Sequence, residues 1–291
     1  MQTPALAAAP DARRPAYSFQ TRPLSGALGA EILGVDLSRP ISDELFENIL
    51  RCWHDNVVVL LRDQHLSEAD QVRFAERFGP LAISHTRRYT TANPAVMLIS
   101  NIRENGKQIG ALPDGEMQFH SDQCYQEKPA MASMLYAIEI PSVGGNTLFA
   151  NAYKAYETLP DDIKRRLSGL RAMHAYDYDN ASMKRGTRIA EGVPHFAHPV
   201  FRTHPATGRK ALYVNRLMTV AIEGLPEAES DKLLNFLFGH QENPAFIYEH
   251  VWRVNDLLMW DNRCALHART DFSTDQRRLM RRVTVLGEAP V

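Results

Sequence analysis

The C-terminal part of the chain constrains the fold most, because it alternates between short apolar segments and polar turns. Four segments of strand length follow one another, at 245–251, 256–260, 265–268 and 279–286. Short strands separated by polar turns are typical of antiparallel sheets that fold into barrels or sandwiches. This part of the chain therefore predicts a β-rich core.

Helical patterns stand before and between the strand-like segments. Ser42 can cap an amphipathic helix that ends near Trp53, and Ser67 can cap a second helix that ends at Gly79. Between them, residues 57–61 are apolar and β-branched enough for a buried strand. Many short strands with helices at one end and inserted between them predict an α+β chain built on a barrel or jelly roll.

Length and composition point to one globular domain. The chain has 291 residues, 44% hydrophobic and 23% charged, and it contains no apolar run near the roughly 18 residues of a membrane span. We expect a mobile tail at residues 1–18 and a single domain at 19–291. A formal charge of -1 gives no overall field that would gather nucleic acid or an anionic membrane, so neither is an expected partner.

The cysteines and the N-terminus indicate a reducing compartment. Cys52, Cys124 and Cys264 are odd in number and far apart, which argues against a disulfide framework. The first residues lack the basic start and apolar stretch of a secretory signal. We therefore expect a cytoplasmic protein.

Residues 81–118 form a long segment with little sustained periodicity, apart from a short strand at 96–100. A long loop inside a compact domain is usually either functional or disordered. His85 lies near its start and Glu116 near its end. We therefore expect this segment to be either functional or disordered.

The triplet His120-Ser121-Asp122 can present an imidazole and a carboxylate to a metal, because side chains two apart on a strand point the same way. Alone, this signal is weak. With 11 His and 34 acidic residues in the chain, about 1.3 such triplets are expected by chance, and His240-Gln241-Glu242 is a second example. The triplet therefore needs independent support.

Support comes from the C-terminal strands, where His267 begins one segment and Arg278 precedes another. If residues 271–276 form a hairpin turn, His267 and Arg278 lie on neighbouring antiparallel strands and face one interior, which Arg282 shares by period-two alternation. Two imidazoles and one carboxylate leave three metal positions open, as in non-haem Fe(II) oxygenases. The fork of Arg278 suits the carboxylate of an anionic co-substrate.

At this point the chain resembles the taurine dioxygenase and phenoxyacetate dioxygenase family of Fe(II)/2-oxoglutarate-dependent oxygenases. The resemblance extends from about residue 25 to residue 286 in consistent order and spacing. The residues that carry it are Phe119-His-Ser-Asp-Gln123, Gly144-Gly-Asn-Thr147, His198-Pro199, the run from Thr203 to Asn215, the run from Trp260 to His267, and Arg278 with Arg282.

The resemblance implies a double-stranded β-helix core, which is a jelly-roll, cupin-like arrangement with flanking helices. It implies that His120, Asp122 and His267 are the catalytic iron ligands, and that Thr147 and Arg278 bind the distal carboxylate of 2-oxoglutarate. The implied reaction uses Fe(II), O2 and 2-oxoglutarate to oxidise, and in particular to hydroxylate, a small molecule, with formation of succinate and CO2.

The same resemblance implies three substrate-binding residues. Arg282 lies where the family meets an acidic substrate group, and His85 loosely matches a substrate-contacting histidine on the family's lid. Glu116 occupies the position, four residues before the first ligand, where the taurine enzyme has a substrate-contacting amide, and this departure puts taurine itself in doubt. We expect a small substrate with a carboxylate or sulfonate, while a homo-oligomeric state stays open.

Two other functions remain compatible with the sequence. A cupin-like metal-dependent isomerase or hydrolase could use a similar barrel, but it would not need Arg278 behind the metal. A non-catalytic anion-binding jelly roll could use Arg278 and Arg282, but it would not need a metal triad.

Overall fold

The computed structural model describes residues 16–84, 87–179, 184–185 and 189–291. Within these residues the helices are α1 (Asp43–Asn56), α2 (Glu68–Glu76), α3 (Ala152–Glu157), α4 (Asp161–Leu167) and α5 (Glu227–Gln241), with a short 3-10 helix at Pro244–Phe246. The strands, in chain order, are β1 (Gln20–Pro23), β2 (Ala30–Leu33), β3 (Val58–Leu61), β4 (Val96–Ser100), β5 (Arg103–Glu104), β6 (Lys107–Gln108), β7 (Met117–His120), β8 (Ala132–Glu139), β9 (Thr147–Asn151), β10 (Arg171–Ala175), β11 (Tyr178–Asp179), β12 (Lys184–Arg185), β13 (His195–Pro199), β14 (Phe201–Thr203), β15 (Lys210–Leu212), β16 (Thr219–Ile222), β17 (Ile247–His250), β18 (Leu257–Asp261), β19 (Ala265–Arg269) and β20 (Leu279–Val285).

Two sheets dominate the fold. The larger has seven strands in the order β1-β2-β3-β18-β8-β20-β4, and the smaller has four in the order β17-β9-β19-β7. Their neighbours pair antiparallel, except for the parallel pair β2-β3. A three-stranded sheet, β13-β10-β16, and three two-stranded ribbons complete the described strands. The predicted mixture of helices and short strands is confirmed.

The two large sheets pack against each other through one apolar cluster. Leu135 and Leu258 contribute from the seven-stranded sheet, and Phe149 and Ala265 contribute from the four-stranded sheet. The opposite face of the seven-stranded sheet packs against α1 and α2 in a second cluster that includes Trp53. Central strands of the larger sheet are therefore buried on both faces, which explains why their sequences are apolar without alternation.

Capping residues fix the helices that cover the larger sheet. The Ser42 side chain accepts a hydrogen bond from the backbone N of Leu45 at 3.2 Å, and Ser67 forms a reciprocal capping box with Asp70. Such caps contribute about 1 kcal/mol each. Both helices begin where the sequence predicts.

Two predicted strand arrangements are wrong. Strand β19, which carries His267, pairs with β7 and β9, whereas β20 pairs with β4 and β8, so the two strands lie in different sheets. The sequence of residues 196–214 likewise indicates one hairpin, with strands at 196–202 and 210–214 around a turn at 205–208. In the structure its first strand is divided: β13 pairs with β10, and only β14 pairs with β15. In both cases the chain passes from one sheet to another at a point where the local sequence pattern indicated that the strands stay in the same sheet.

The segment 81–118 contains more strands than the sequence predicts. The predicted short strand at 96–100 is confirmed as β4, but the segment 81–118 also contains β5, β6 and the beginning of β7. Of the predicted mobile tail, only residues 16–18 are described, and Tyr17 donates a hydrogen bond to Asp55 at 2.7 Å. No helix among the described residues combines the length and the apolar character needed to cross a membrane.

Candidate active site

His120, Asp122 and His267 lie together in the space between the two large sheets. His120 ends β7 and is the direct cross-strand partner of His267 on β19, with ring centroids 4.1 Å apart. Asp122 lies in the turn after β7 and not on the strand, so strand alternation was the wrong reason for its placement. Its Oδ1 is nevertheless 4.0 Å from His120 Nε2 and 3.9 Å from His267 Nε2.

This spacing fits a single metal ion. One ligand atom from each residue can be chosen so that all three lie within 4.8 Å of one another. Nitrogen and oxygen ligands bind transition metals at about 2.0–2.2 Å, and ligand atoms around one ion are therefore a few ångströms apart. The three side chains converge on a common point without rearrangement of the sheets.

The protonation states of the three side chains suit metal binding. Burial lowers the pKa of His120, and burial together with the nearby His120 ring lowers the pKa of His267 to about 3. The Nδ1 of His120 lies 2.9 Å from the Gln118 carbonyl, to which a neutral ring donates, so its Nε2 lone pair faces Asp122. Burial opposes ionisation of Asp122, but the adjacent His267, Arg282 and His120 outweigh it and hold the carboxyl pKa well below its usual range. The donor set is two neutral imidazoles and one carboxylate.

A cavity adjoins the two histidines. Its apolar wall includes Leu112, Leu135 and Trp260, and its polar wall includes Thr147 and three arginines. These arginines are Arg269, Arg278 and Arg282. Because guanidinium groups in an apolar, enclosed space are costly unless an anion accompanies them, this cavity is suited to an organic anion.

Arg278 is the most deeply buried cation of the cavity. It is 2% exposed, and its Nε and Nη1 have no hydrogen-bond partner among the described residues. Burial, followed by the nearby Arg269, lowers the pKa of Arg278 to about 9. His267 and Arg278 do share one interior, as predicted, although they reach it from opposite sheets.

Thr147 joins this part of the cavity through a tight glycine turn. Gly144 and Gly145 both have positive φ, and a Cβ on Gly144 would lie 2.3 Å from the Asp271 carbonyl oxygen. The turn can therefore approach the segment before Arg278 only with glycine at this position. The Thr147 hydroxyl accepts a hydrogen bond from Trp252 Nε1 at 3.0 Å, which leaves its own proton for donation.

Arg282 links the cavity to the cluster of His120, Asp122 and His267. Its Nη1 is 3.6 Å from Asp122 Oδ1, and its Nη2 is 3.1 Å from Met97 Sδ. The side chain remains 26% exposed, in contrast to Arg278. A ligand that enters from solvent can therefore meet Arg282, while Arg278 is reached only inside the cavity.

The remaining predicted site residues have less support. Glu116 is exposed and is not part of the cavity wall, and His85 lies outside the described residues. Arg269 was not predicted as a site residue; it is 7% exposed and donates from Nη2 to the carbonyls of Pro113 and Gly115. Period-two alternation from His267 could have placed Arg269 on the cavity face.

A second cluster with metal-binding spacing consists of His54, His204 and Asp261. Its Asp261 carboxylate is already paired with Arg263, at 2.8 Å and 2.7 Å, and accepts from His204 Nε2 at 3.0 Å. The Nδ1 of His204 accepts from the backbone N of Thr207 at 3.1 Å, so the ring proton is on Nε2. No histidine lone pair of His204 is left for a metal, and the cluster is a hydrogen-bonded support for the turn after β18.

Comparisons with known proteins agree with this geometry. Residues 20–284 match the model of the family described as taurine catabolism dioxygenase TauD, TfdA family. The chain is 32% identical to the (S)-phenoxypropionate/alpha-ketoglutarate-dioxygenase of Sphingobium herbicidovorans, over 93% of this chain and 96% of that protein. It is 34% identical to the alpha-ketoglutarate-dependent 2,4-dichlorophenoxyacetate dioxygenase of Cupriavidus pinatubonensis, over 94% of this chain and 100% of that protein. The crystal structure of AAD-2 in complex with Mn(II) and N-oxalylglycine is similar with a TM-score of 0.81 and 28% identity, over 94% of this chain and 98% of that chain.

Proposed function

This chain belongs to the taurine catabolism dioxygenase TauD, TfdA family and is an Fe(II)/2-oxoglutarate-dependent dioxygenase, and from this premise we propose that it hydroxylates a small organic anion between its two large sheets. The observation that carries the proposal is the position of Arg278, a buried guanidinium with two unpartnered nitrogen atoms beside a two-histidine, one-carboxylate cluster. An isomerase or hydrolase in a similar barrel has no need for this arginine.

The proposed metal is Fe(II), with His120, Asp122 and His267 as its ligands. Three protein ligands on one side of the ion leave three positions for exogenous ligands. When bound, the iron would supply the chemistry that couples O2 and decarboxylation of 2-oxoglutarate to substrate oxidation, giving succinate and CO2. The protein would hold these reactants in register and exclude water from the cavity.

The proposed co-substrate site uses Arg278 and Thr147. A guanidinium donates two parallel hydrogen bonds to a carboxylate, and the free proton of the Thr147 hydroxyl adds a third donor. The negative charge of the distal carboxylate would offset the cost of the buried Arg278 cation. The other end of 2-oxoglutarate could then reach the metal through its keto acid group.

The proposed substrate carries a carboxylate or a sulfonate that Arg282 binds. Arg282 is partly exposed to solvent, and its Nη1 lies 3.6 Å from Asp122 Oδ1. Two relatives are named for phenoxypropionate and for 2,4-dichlorophenoxyacetate, both of which are carboxylates.

We also infer that the seven-stranded and four-stranded sheets are the two halves of a double-stranded β-helix, since both contribute walls to the cavity.

A coupled-turnover experiment tests this function. Purified protein with Fe(II) is supplied with 2-oxoglutarate and a panel of aryloxy acids, sulfonates, amino acids and uncharged analogues of these compounds, and succinate and O2 are measured. We expect O2 consumption to require 2-oxoglutarate, and succinate formation to rise above the uncoupled background with at least one anionic class. Consumption of O2 without 2-oxoglutarate, or a response limited to uncharged compounds, would contradict the proposal.

A further inference from the structure

We propose that Ser133 and Asn262 are positioning residues that allow Asp122 to bind the metal through only one carboxylate oxygen. This inference rests on the proposed function, because it concerns the same metal centre. It assigns a purpose to two buried polar residues outside the ligand set. The purpose is to keep metal positions free for the co-substrate and O2.

The two oxygen atoms of Asp122 have different surroundings. Oδ1 faces the centre of the cluster, at 4.0 Å from His120 Nε2 and 3.9 Å from His267 Nε2. Oδ2 instead accepts a hydrogen bond from Ser133 Oγ at 2.5 Å. Ser133 lies on β8 and is completely buried, so water does not compete for this hydrogen bond. One oxygen is presented to the metal and the other is held by the protein.

Asn262 determines the direction in which the Ser133 hydroxyl donates. Its Nδ2 donates to Ser133 Oγ at 3.1 Å, which occupies a lone pair of that oxygen and leaves the Ser133 proton for Asp122 Oδ2. The amide orientation is itself fixed, because Asn262 Oδ1 accepts from Trp260 Nε1 at 2.9 Å and from the Asp122 backbone N at 3.3 Å. If the amide were rotated by half a turn, Asn262 Nδ2 would face the N–H groups of Trp260 and Asp122, and donors would oppose donors at both contacts.

The same short segment also restrains the surrounding ligands. The Trp260 ring packs 4.7 Å from the His267 ring, centroid to centroid, and Ser121 Oγ donates to the Asn262 carbonyl at 2.8 Å. Groups that orient metal ligands in this way commonly change metal affinity or activity by 10- to 100-fold when removed. The turn that bears Asp122 and the strand that bears His267 are thus aligned by one buried network.

The number of oxygens that Asp122 contributes determines how many metal positions remain. With two imidazoles and one carboxylate oxygen as protein ligands, three positions would stay available for the co-substrates. A second bound oxygen from Asp122 would occupy one of these three. We therefore expect loss of the Ser133 hydrogen bond to weaken 2-oxoglutarate binding more than it weakens metal binding.

The test uses Co(II), whose visible absorption reports coordination number without turnover. Wild type and Ser133→Ala are titrated with Co(II) and then with 2-oxoglutarate, and spectra and dissociation constants are recorded. We expect Ser133→Ala to change the Co(II) spectrum and to raise the 2-oxoglutarate dissociation constant by about tenfold, with Co(II) affinity kept within a few-fold. Ser133→Thr, which keeps a hydroxyl, should restore the wild-type spectrum.

Two further variants separate positioning from a loss of folding. Ser230→Ala removes another buried serine hydroxyl, which accepts from the Ile222 backbone N at 2.8 Å away from the cavity, and it should leave the spectrum unchanged. Asn262→Asp is nearly isosteric but cannot donate to Ser133 Oγ, so we expect the same spectral change as in Ser133→Ala. It serves as the test if Ser133→Ala does not fold.

The outcomes distinguish this inference from the proposed function. If wild type binds neither Co(II) nor 2-oxoglutarate, the proposed function fails. If wild type binds both, and both Ser133→Ala and Asn262→Asp keep the wild-type spectrum and 2-oxoglutarate affinity, only the positioning role is refuted and the network merely stabilises the fold.

Discussion

Replacing Arg278 with methionine should change folding stability and co-substrate binding in opposite directions. Methionine has a similar reach, but it removes the charge and the hydrogen-bond donors that Arg278 contributes to the cavity. Among the described residues, two buried nitrogen atoms of the Arg278 guanidinium have no hydrogen-bond partner. With 2-oxoglutarate bound at the proposed site, the same atoms would be the main anchor of its distal carboxylate.

The size of both effects follows from the burial of Arg278. A fall in its pKa from the ordinary 12.5 to about 9 corresponds to a destabilisation of the charged form on the order of 5 kcal/mol. Replacement of buried charges by apolar groups of similar size stabilises proteins by about 1–4 kcal/mol, and we expect the free Arg278→Met protein to gain an amount in this range. Loss of two charge-assisted hydrogen bonds at roughly 1.5–3 kcal/mol each should weaken 2-oxoglutarate binding at least about 100-fold.

Thermal unfolding with and without 2-oxoglutarate measures both effects in one experiment. For a chain of this length, each kcal/mol of stability shifts Tm by about 2–4 °C. Free Arg278→Met should therefore melt several degrees above free wild type, and added Co(II) and 2-oxoglutarate should raise Tm much less than in wild type. Arg202→Met is the matched control: Arg202 is equally buried, but it pairs with Glu288 at 2.9 Å and does not line the cavity.

The reasoning would be refuted if free Arg278→Met were less stable than wild type while its 2-oxoglutarate affinity remained unchanged. Arg278 would then be a structural residue that the fold needs. Arg202→Met should keep wild-type 2-oxoglutarate affinity and gain no stability, because it removes the Arg202–Glu288 ion pair and the packing of the guanidinium on the Tyr213 ring.

Three other substitutions give separate readouts. His267→Ala should abolish Co(II) binding and 2-oxoglutarate turnover, with a circular dichroism spectrum like that of wild type; retained turnover would remove the metal assignment. Arg282→Ala should raise the KM for an anionic substrate about 10- to 100-fold and leave 2-oxoglutarate affinity within a few-fold, and the reverse pattern would reassign Arg282 to the co-substrate. Arg269→Gln should accelerate amide hydrogen exchange in residues 111–116, because the Pro113 and Gly115 carbonyls lose their donor; unchanged exchange would show that the other loop contacts suffice to hold this wall.

Local sequence patterns predicted those features that depend on neighbouring residues. Ser42 and Ser67 cap helices as expected, because a cap requires only a side-chain oxygen and the next turn of backbone. The convergence of His120 and His267 was also expected, and the two residues are direct cross-strand partners. The resemblance to a family supported this pairing where the His-x-Asp spacing alone did not.

Features that depend on distant contacts were not predictable in the same way. The segment before Arg278 crosses between sheets, because β20 fits between β8 and β4, and no local periodicity encodes that choice. Asp122 reaches the cluster from a turn, where period-two alternation does not apply. Alternation from His267 places Arg269 on the cavity face, but its role depends on distant contacts, the loop carbonyls of Pro113 and Gly115.

The long sequence separation between Ser121 and Asn262 has a consequence for biosynthesis. These residues are 141 positions apart and are joined by a buried hydrogen bond next to the proposed metal ligands. Ribosomes add roughly 5–20 residues per second, so a nascent chain carries His120 and Asp122 for several seconds before His267 is made. During that interval the chain has two of the three proposed ligands and lacks the hydrogen bonds of Asn262. We therefore expect iron to bind only after the C-terminal strands are complete, so that metal loading coincides with the slow, long-range step of folding.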